Sequence, residues 1–148
     1  YCRIRKLVFF KYADVILPSV ALAQGFGRIG CFLGGCCYGI PCRWGFTAEG
    51  NPLVPEVNGV CRFPVQLLEA GCELGLLLLL LRLFRKGKYS GRLVACYLLG
   101  YAPLRFGLEF LRGDAARGVV FRLSTSQWLS VLLFCTALWI FRRAPQNE

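Results

Sequence analysis

The sequence predicts an all-α fold, in the form of a polytopic integral membrane protein with about four transmembrane helices. Of its 148 residues, 56% are hydrophobic and only 18% are charged, and the mean hydropathy is +0.52. Soluble domains average about 25% charged residues. Four apolar stretches also approach the roughly 20 residues that a helix needs to cross a bilayer. We therefore expect residues 1–148 to form a single transmembrane domain.

The four predicted spans are separated by one long polar segment and two short connections. They are Val15 to Leu33, Pro64 to Phe84, Leu93 to Leu111 and Ser126 to Phe141. The second span contains six consecutive leucines, and the fourth has a tryptophan near each end, where the aromatic belts of membrane proteins lie. The long segment, Gly35 to Phe63, is rich in glycine, proline and cysteine and is predicted to be a loop.

Basic residues mark one side of the predicted membrane. They occur at the start of the chain, around the connection between the second and third spans, and at the end: Arg3, Arg5, Lys6, Arg82, Arg85, Lys86, Lys88, Arg92, Arg142 and Arg143. The positive-inside rule places these residues in the cytoplasm and the Gly35–Phe63 and Gly113–Arg122 loops outside. The net charge of +10 does not indicate nucleic-acid binding, since the basic residues flank apolar runs and do not gather on a polar face.

Nine cysteines are a large number for a chain of this length. Five of them lie in or next to the predicted outer loop: Cys31, Cys36, Cys37, Cys42 and Cys61. None forms a C-x-x-C pair and the chain has no histidine, so we predict no metal site, although cysteine ligation stays possible. A disulfide in the loop is favoured if the loop faces an oxidising compartment.

Charged residues inside the predicted third span are candidates for function. Arg105, Glu109 and Arg112 are spaced i, i+4 and i+7, which would place them on one face of a helix, with Arg105 and Glu109 able to pair. Arg28 occupies the corresponding depth near the outer end of the first span. The alternative is that Arg105 and Glu109 form a purely structural ion pair. Arg28 and Arg112 would then be anchors whose charged ends snorkel to the membrane surface. Arginine suits phosphate because its planar guanidinium forms two parallel hydrogen bonds, so arginines from two helices could hold a lipid phosphate.

Small residues recur four apart in the first span, at Ala23 and Gly27 and again at Gly30 and Gly34. Such spacing lets membrane helices approach closely. We therefore expect Gly30 and Gly34 to serve helix packing.

Four stretches resemble the motifs of bacterial prolipoprotein diacylglyceryl transferases. ADVILPSVALAQGFGRIGCFLGGCCYG resembles the family's Ala-Asp…Pro lead-in and Gly-Arg-x-Gly-Asn-Phe core, and FPVQLLEA resembles its His-Pro-x-Gln-x-Tyr-Glu stretch. GRLVACYLLGYAPLRFGLEFLRGD resembles its Arg-Phe-x-x-Glu-x-x-Arg helix, and LSTSQWLS its Ser-x-x-Gln start of the final helix. The four occur in the family's order and cover essentially the whole chain.

The resemblance implies an enzyme of the bacterial inner membrane that transfers diacylglyceryl from phosphatidylglycerol to the lipobox cysteine of a preprolipoprotein. Its active site would face the extracytoplasmic side, its partners would be these two substrates and the membrane lipids, and it would need no cofactor. Arg28, Arg105 and Glu109 match catalytic positions of the family. The substrate-binding positions carried over are Arg28, Cys31, Cys36, Gln66, Glu69, Arg112 and Gln127.

The chain departs from the family pattern at several positions. Cys31 and Cys36 replace an asparagine and a glutamate, while Phe63 and Leu68 replace a histidine and a tyrosine. The family's histidine base has no counterpart, so Glu109 is the residue offered for that role.

The chain also lacks the family's upstream helices, so we expect it to be the C-terminal part of a longer enzyme. Cys31 and Cys36 would line the substrate cavity, whereas Cys37 and Cys42 would shape the loop, as a disulfide. The alternative functions are a cysteine-cluster metal-binding or thiol-redox membrane protein, or an inactive family remnant.

Overall fold

The computed structural model describes residues 9–87, 92–113, 119–120 and 123–143. Four long α-helices make up most of this part of the chain: α1 (Phe9–Leu33), α2 (Val65–Lys86), α3 (Leu93–Leu108) and α4 (Thr125–Arg143). The predicted mainly helical architecture is confirmed. Cys2 and the basic residues Arg3, Arg5, Lys6 and Lys88 lie outside the described residues.

The core lies where α1, α2 and α3 meet. Its buried members are Ala21, Leu76, Leu80, Leu93 and Tyr97. The Asp14 carboxylate of α1 is also buried, and it accepts a hydrogen bond of 3.1 Å from the backbone N–H of Leu93. This bond satisfies one of the unpaired donors at the start of α3 and ties two helices together at one end of the bundle.

Two small antiparallel sheets, which the sequence did not predict, join the helices. The strands β1 (Pro41–Thr47) and β2 (Cys61–Arg62) pair within the long loop, on either side of a 3₁₀ turn at Pro55–Val57. The strands β3 (Val119–Val120) and β4 (Leu123–Ser124) pair immediately before α4.

Backbone hydrogen bonds also connect the segments that follow α1 and α3. The N–H of Ile40 donates to the carbonyl of Leu111, and the N–H of Gly113 donates to the carbonyl of Tyr38, both at 3.0 Å. Gly39 lies opposite Arg112 in this bridge, and a side chain at Gly39 would collide with the carbonyl oxygen of Phe63. The contact therefore requires a glycine and holds the two loops together.

Two stretches are long and apolar enough to cross a membrane, Tyr12–Leu33 and Leu93–Leu111. Large apolar side chains on α1 face outward, with Ile16 60% and Phe26 62% exposed, as is typical of surfaces that meet lipid or other helices. The four-span arrangement stays a prediction. The prediction that one helical face carries Arg112 is wrong, because α3 ends at Leu108 and the chain leaves a short 3₁₀ turn in an extended conformation at that arginine.

The predicted packing role of Gly30 is also wrong for the described part of the chain. A methyl group added at Gly27 or Gly30 would meet no described atom within 4 Å apart from the adjacent backbone of its own helix. Close packing occurs instead at Gly25 and Gly100, where a Cβ atom would press on Leu74 and Leu76 of α2. These two glycines lie on the helix faces that meet α2, and the four-residue spacing gave no indication of which face that is.

Candidate active site

The buried carboxylate of Glu69 lies among three arginines that come from different parts of the chain. Glu69, near the start of α2, is 3% exposed. Its Oε1 atom lies 3.1 Å from Nε of Arg28 and 3.9 Å from Nε of Arg105, and its Oε2 atom lies 4.0 Å from Nη1 of Arg112. The structure thus brings together four of the residues predicted from the sequence.

A second carboxylate completes the cluster. Nη1 of Arg105 lies 2.8 Å from Oε2 of Glu109, which confirms the predicted i, i+4 pair. Four of the five side chains in the cluster are 8% exposed or less, whereas Arg28 is 25% exposed. The cluster holds three arginines and two carboxylates and so has an excess of positive charge, and Arg28 is its most accessible member.

The helix order explains why these residues meet. Arg28 lies near the end of α1, Glu69 near the start of α2 and Arg105 near the end of α3, so antiparallel packing brings all three to the same end of the bundle. Arg112 reaches the cluster by another route, through the 3₁₀ turn and the backbone bridge to Gly39.

The two predicted glutamines occupy different surroundings. Gln66 is buried one turn before Glu69, and its Nε2 donates a hydrogen bond of 2.8 Å to the carbonyl of Cys36. This bond fixes the loop after α1 against α2. Gln127 is also buried, and its Oε1 accepts a bond of 2.9 Å from the N–H of Ser124, while the Ser124 hydroxyl accepts from the N–H of Gln127. These bonds cap the start of α4.

Three thiols lie beside the arginine cluster. The sulfur atoms of Cys31, Cys36 and Cys37 are within 4.8 Å of one another. The described cysteines are free thiols, so the expected disulfide between Cys37 and Cys42 is not formed, and the Cys42 thiol donates to the carbonyl of Trp44. Cys37, which the sequence assigned only to loop shape, instead lies next to Arg112.

The pKa values of the neighbouring thiols Cys36 and Cys37 are shifted in opposite directions. Burial, followed by the hydrogen bond with Cys31, raises the pKa of Cys36 to about 11. Burial also opposes ionisation of Cys37, but the hydrogen bond donated by Arg112 and the positive charge of that arginine outweigh it and lower the Cys37 pKa below its usual value.

This difference predicts selective alkylation. The thiolate is the form that reacts, so Cys37 should stay reactive towards iodoacetamide at pH values where Cys36 is still protonated, and Cys36 should become fully reactive only as the pH approaches 11. The measurement is the extent of alkylation at each pH, determined by mass spectrometry of the labelled peptide in chelator-treated protein. The Cys36→Ser variant reports the pH profile of Cys37, and the Cys37→Ser variant reports that of Cys36. Equal profiles would contradict the assigned role of Arg112.

Two features of the site were not predicted from the sequence. The resemblance offered Glu69 as a substrate-binding residue and not as the common partner of three arginines. Glu73, one turn further along α2, is also buried and accepts a hydrogen bond of 3.2 Å from the hydroxyl of Tyr97. The signal was available, because two carboxylates four residues apart in an apolar helix are costly without partners.

Comparison with known proteins gives a consistent result. The sequence model of the family described as prolipoprotein diacylglyceryl transferase matches residues 1–143. The chain is similar to the phosphatidylglycerol–prolipoprotein diacylglyceryl transferase of Clostridium tetani, with 41% identity over 95% of this chain and 56% of the relative. Relatives of the same description from Clostridium perfringens and Campylobacter lari are 40% and 37% identical, over 87% and 95% of this chain and 50% of each relative. The chain thus spans about half the length of these curated relatives.

Proposed function

The chain belongs to the prolipoprotein diacylglyceryl transferase family, and from that membership we propose that it transfers the diacylglyceryl group of phosphatidylglycerol to the lipobox cysteine of preprolipoproteins. The observation that carries the proposal is the convergence of three arginines on Glu69. An arginine cluster with an excess of positive charge suits a substrate whose one charged group is a phosphate.

The phosphate would enter on the side of Arg28, the most exposed arginine of the cluster. Glu69 holds the three guanidinium groups in fixed positions before the substrate arrives, and such preorganisation lowers the cost of ordering them during the reaction. Arg105 and Arg112 are nearly enclosed, so their hydrogen bonds to a phosphate would be little weakened by water.

In the proposed reaction the sulfur of the lipobox cysteine attacks the glyceryl carbon that carries the phosphate ester. A C–S bond forms, the C–O bond breaks, and its electron pair leaves on glycerol phosphate. The arginines stabilise the negative charge that develops on this leaving group. Glu109, held by Arg105 at 2.8 Å, is the proposed acceptor of the thiol proton. Cys31, Cys36, Gln66 and Gln127 are the further residues assigned to substrate binding.

The proposed location is the bacterial inner membrane, with the four helices as spans and the arginine cluster on the extracytoplasmic side. This orientation follows from the basic residues in the last turns of α2 and α4, such as Arg85 and Arg142, which lie at the helix ends away from the arginine cluster. The β1–β2 loop would then lie outside the membrane.

Thiol labelling tests this orientation. A membrane-impermeant maleimide added to intact spheroplasts should label Cys42 of β1. A cysteine introduced by Arg85→Cys, at the exposed end of α2, should react only after the membrane is permeabilised. The reverse pattern would invert the proposed topology. Comparison with a Cys42→Ser protein identifies the label on Cys42 in the first arm, and Arg85→Cys is introduced into that Cys42→Ser background for the second.

The function itself is tested by complementation. The full-length protein, expressed in bacteria depleted of their own transferase, should restore palmitate labelling of a reporter lipoprotein. The same protein with Arg28→Ala should restore less than about 1% of it, as expected when a group that stabilises a developing anion is lost. Normal membrane abundance of both proteins is the control. Failure of the unaltered protein to restore labelling would refute the proposal.

A further inference from the structure

Cys31, Cys36 and Cys37 form a cluster of three thiols, here called the thiol trio. Nothing in the proposed transfer reaction requires three adjacent sulfur atoms. We infer that the thiol trio is a binding site for one soft, thiophilic metal ion, and that this ion is cuprous copper. The inference concerns binding alone and does not depend on the proposed function.

The geometry of the trio suits a trigonal site. Three sulfur atoms at about 2.3 Å from a central ion would be about 4.0 Å apart. The three sulfur atoms are already within 4.8 Å of one another, so rotations of the cysteine side chains would close the remaining gap.

The backbone holds these thiols in place without an ion. Cys31 lies in the last turns of α1, and its carbonyl accepts a hydrogen bond of 3.1 Å from the N–H of Cys36. Gln66 fixes the carbonyl of Cys36 from α2. Cys37 has a φ of 56°, a left-handed conformation that is uncommon for residues other than glycine and that often marks functional sites.

The ligand set favours Cu⁺ over harder or higher-coordinate ions. Thiolates select soft ions such as Cu⁺ and zinc, and a structural zinc site takes four ligands. The group that the described residues provide contains three sulfur atoms and no carboxylate, and the chain has no histidine. A cuprous ion is satisfied by three thiolates.

The surrounding charge also favours this ion. Binding displaces three thiol protons to solvent, so Cu⁺ with three thiolates carries a charge of about −2. Arg112 hydrogen-bonds to Cys37, and Arg28 is close enough to act on its charge. The excess positive charge of the arginine cluster therefore offsets part of the charge of the filled site. The thiols are partly exposed, which leaves the ion a route of entry.

Competition with the chelator bicinchoninate under anaerobic conditions measures the binding of Cu⁺. The purified full-length protein with Ser or Ala at its cysteines outside the trio should take one Cu⁺. X-ray absorption at the copper edge should show three sulfur atoms at about 2.3 Å. Cys37→Ser in the same background should weaken binding at least about 100-fold.

For a matched comparison, Cys37→Ser and Cys42→Ser are each also made in the otherwise unaltered protein, where Cys42→Ser removes a neighbouring loop thiol and should leave the affinity unchanged. Thermal unfolding of each variant separates loss of the site from loss of the fold. If Cys37→Ser fails to fold, the test is the number of sulfur atoms bound to copper, measured by X-ray absorption in the protein whose only cysteines are the thiol trio. Two-coordinate copper there, or equal affinity in Cys37→Ser and Cys42→Ser, would overturn the inference.

Discussion

Arg105→Lys is expected to abolish the proposed diacylglyceryl transfer almost as completely as Arg105→Ala, with each variant of the full-length protein losing at least about 100-fold in turnover. Lysine keeps the positive charge but loses the planar fork of donors, and its ammonium group cannot contact Glu109 and a phosphate in two parallel directions. The guanidinium is 8% exposed and lies between Glu69 and Glu109, so water cannot replace the missing donors.

The measurement is palmitate labelling of a reporter lipoprotein in cells depleted of their own transferase, normalised to membrane abundance. Arg82→Lys is the matched control, because that arginine is exposed near the opposite end of α2 and should tolerate the change. If Arg105→Lys retained most of the turnover, the charge alone would matter and the proposed bidentate contact with phosphate would be refuted.

Glu69→Gln is expected to cost both stability and activity. The amide has nearly the same shape but no charge, so Arg28, Arg105 and Arg112 would lose their common partner. Removing one member of a buried ionic group typically costs about 3–5 kcal/mol. Transfer should fall by about 100-fold or more, since the arginines would no longer be held in place for a phosphate.

Glu73→Gln is the control that separates the loss of Glu69 from the loss of any buried carboxylate on α2. It removes a carboxylate from the same helix one turn away, but a glutamine can still accept the hydrogen bond from Tyr97. We expect Glu73→Gln to retain most of the thermal stability and turnover in detergent micelles. A Glu69→Gln protein that matched the Glu73→Gln protein in both measurements would show that Glu69 does not organise the arginines.

The sequence predicted the helices and most members of the arginine cluster because both leave periodic or compositional signals. Long apolar runs mark the helices, and a charge inside such a run is conspicuous. The pairing of Arg105 with Glu109 could be predicted because it is local. The contacts of Glu69 with arginines on α1 and α3 could not, since they depend on how the helices are rotated and packed.

Other features escaped prediction for physical reasons of the same kind. The four residues that follow the end of α3 at Leu108 include no glycine or proline that would mark a helix end, and the bridge to Gly39 decides their path. Cys37 has no sequence feature that sets it apart from Cys36. Its contact with Arg112 arises only when loops distant in the chain meet.

That same bridge has a consequence for biosynthesis. Arg28 and Glu69 are translated well before Arg112, so the nascent chain holds an incomplete charge cluster until α3 has been synthesised and the backbone of Gly39 can pair. During this interval Glu69 has an arginine partner on α1 but none from α3, and Cys37 lacks the arginine that holds it. A chain whose synthesis stops between α2 and α3 therefore has Glu69 paired with one arginine instead of three, and its Cys37 lacks the hydrogen bond from Arg112.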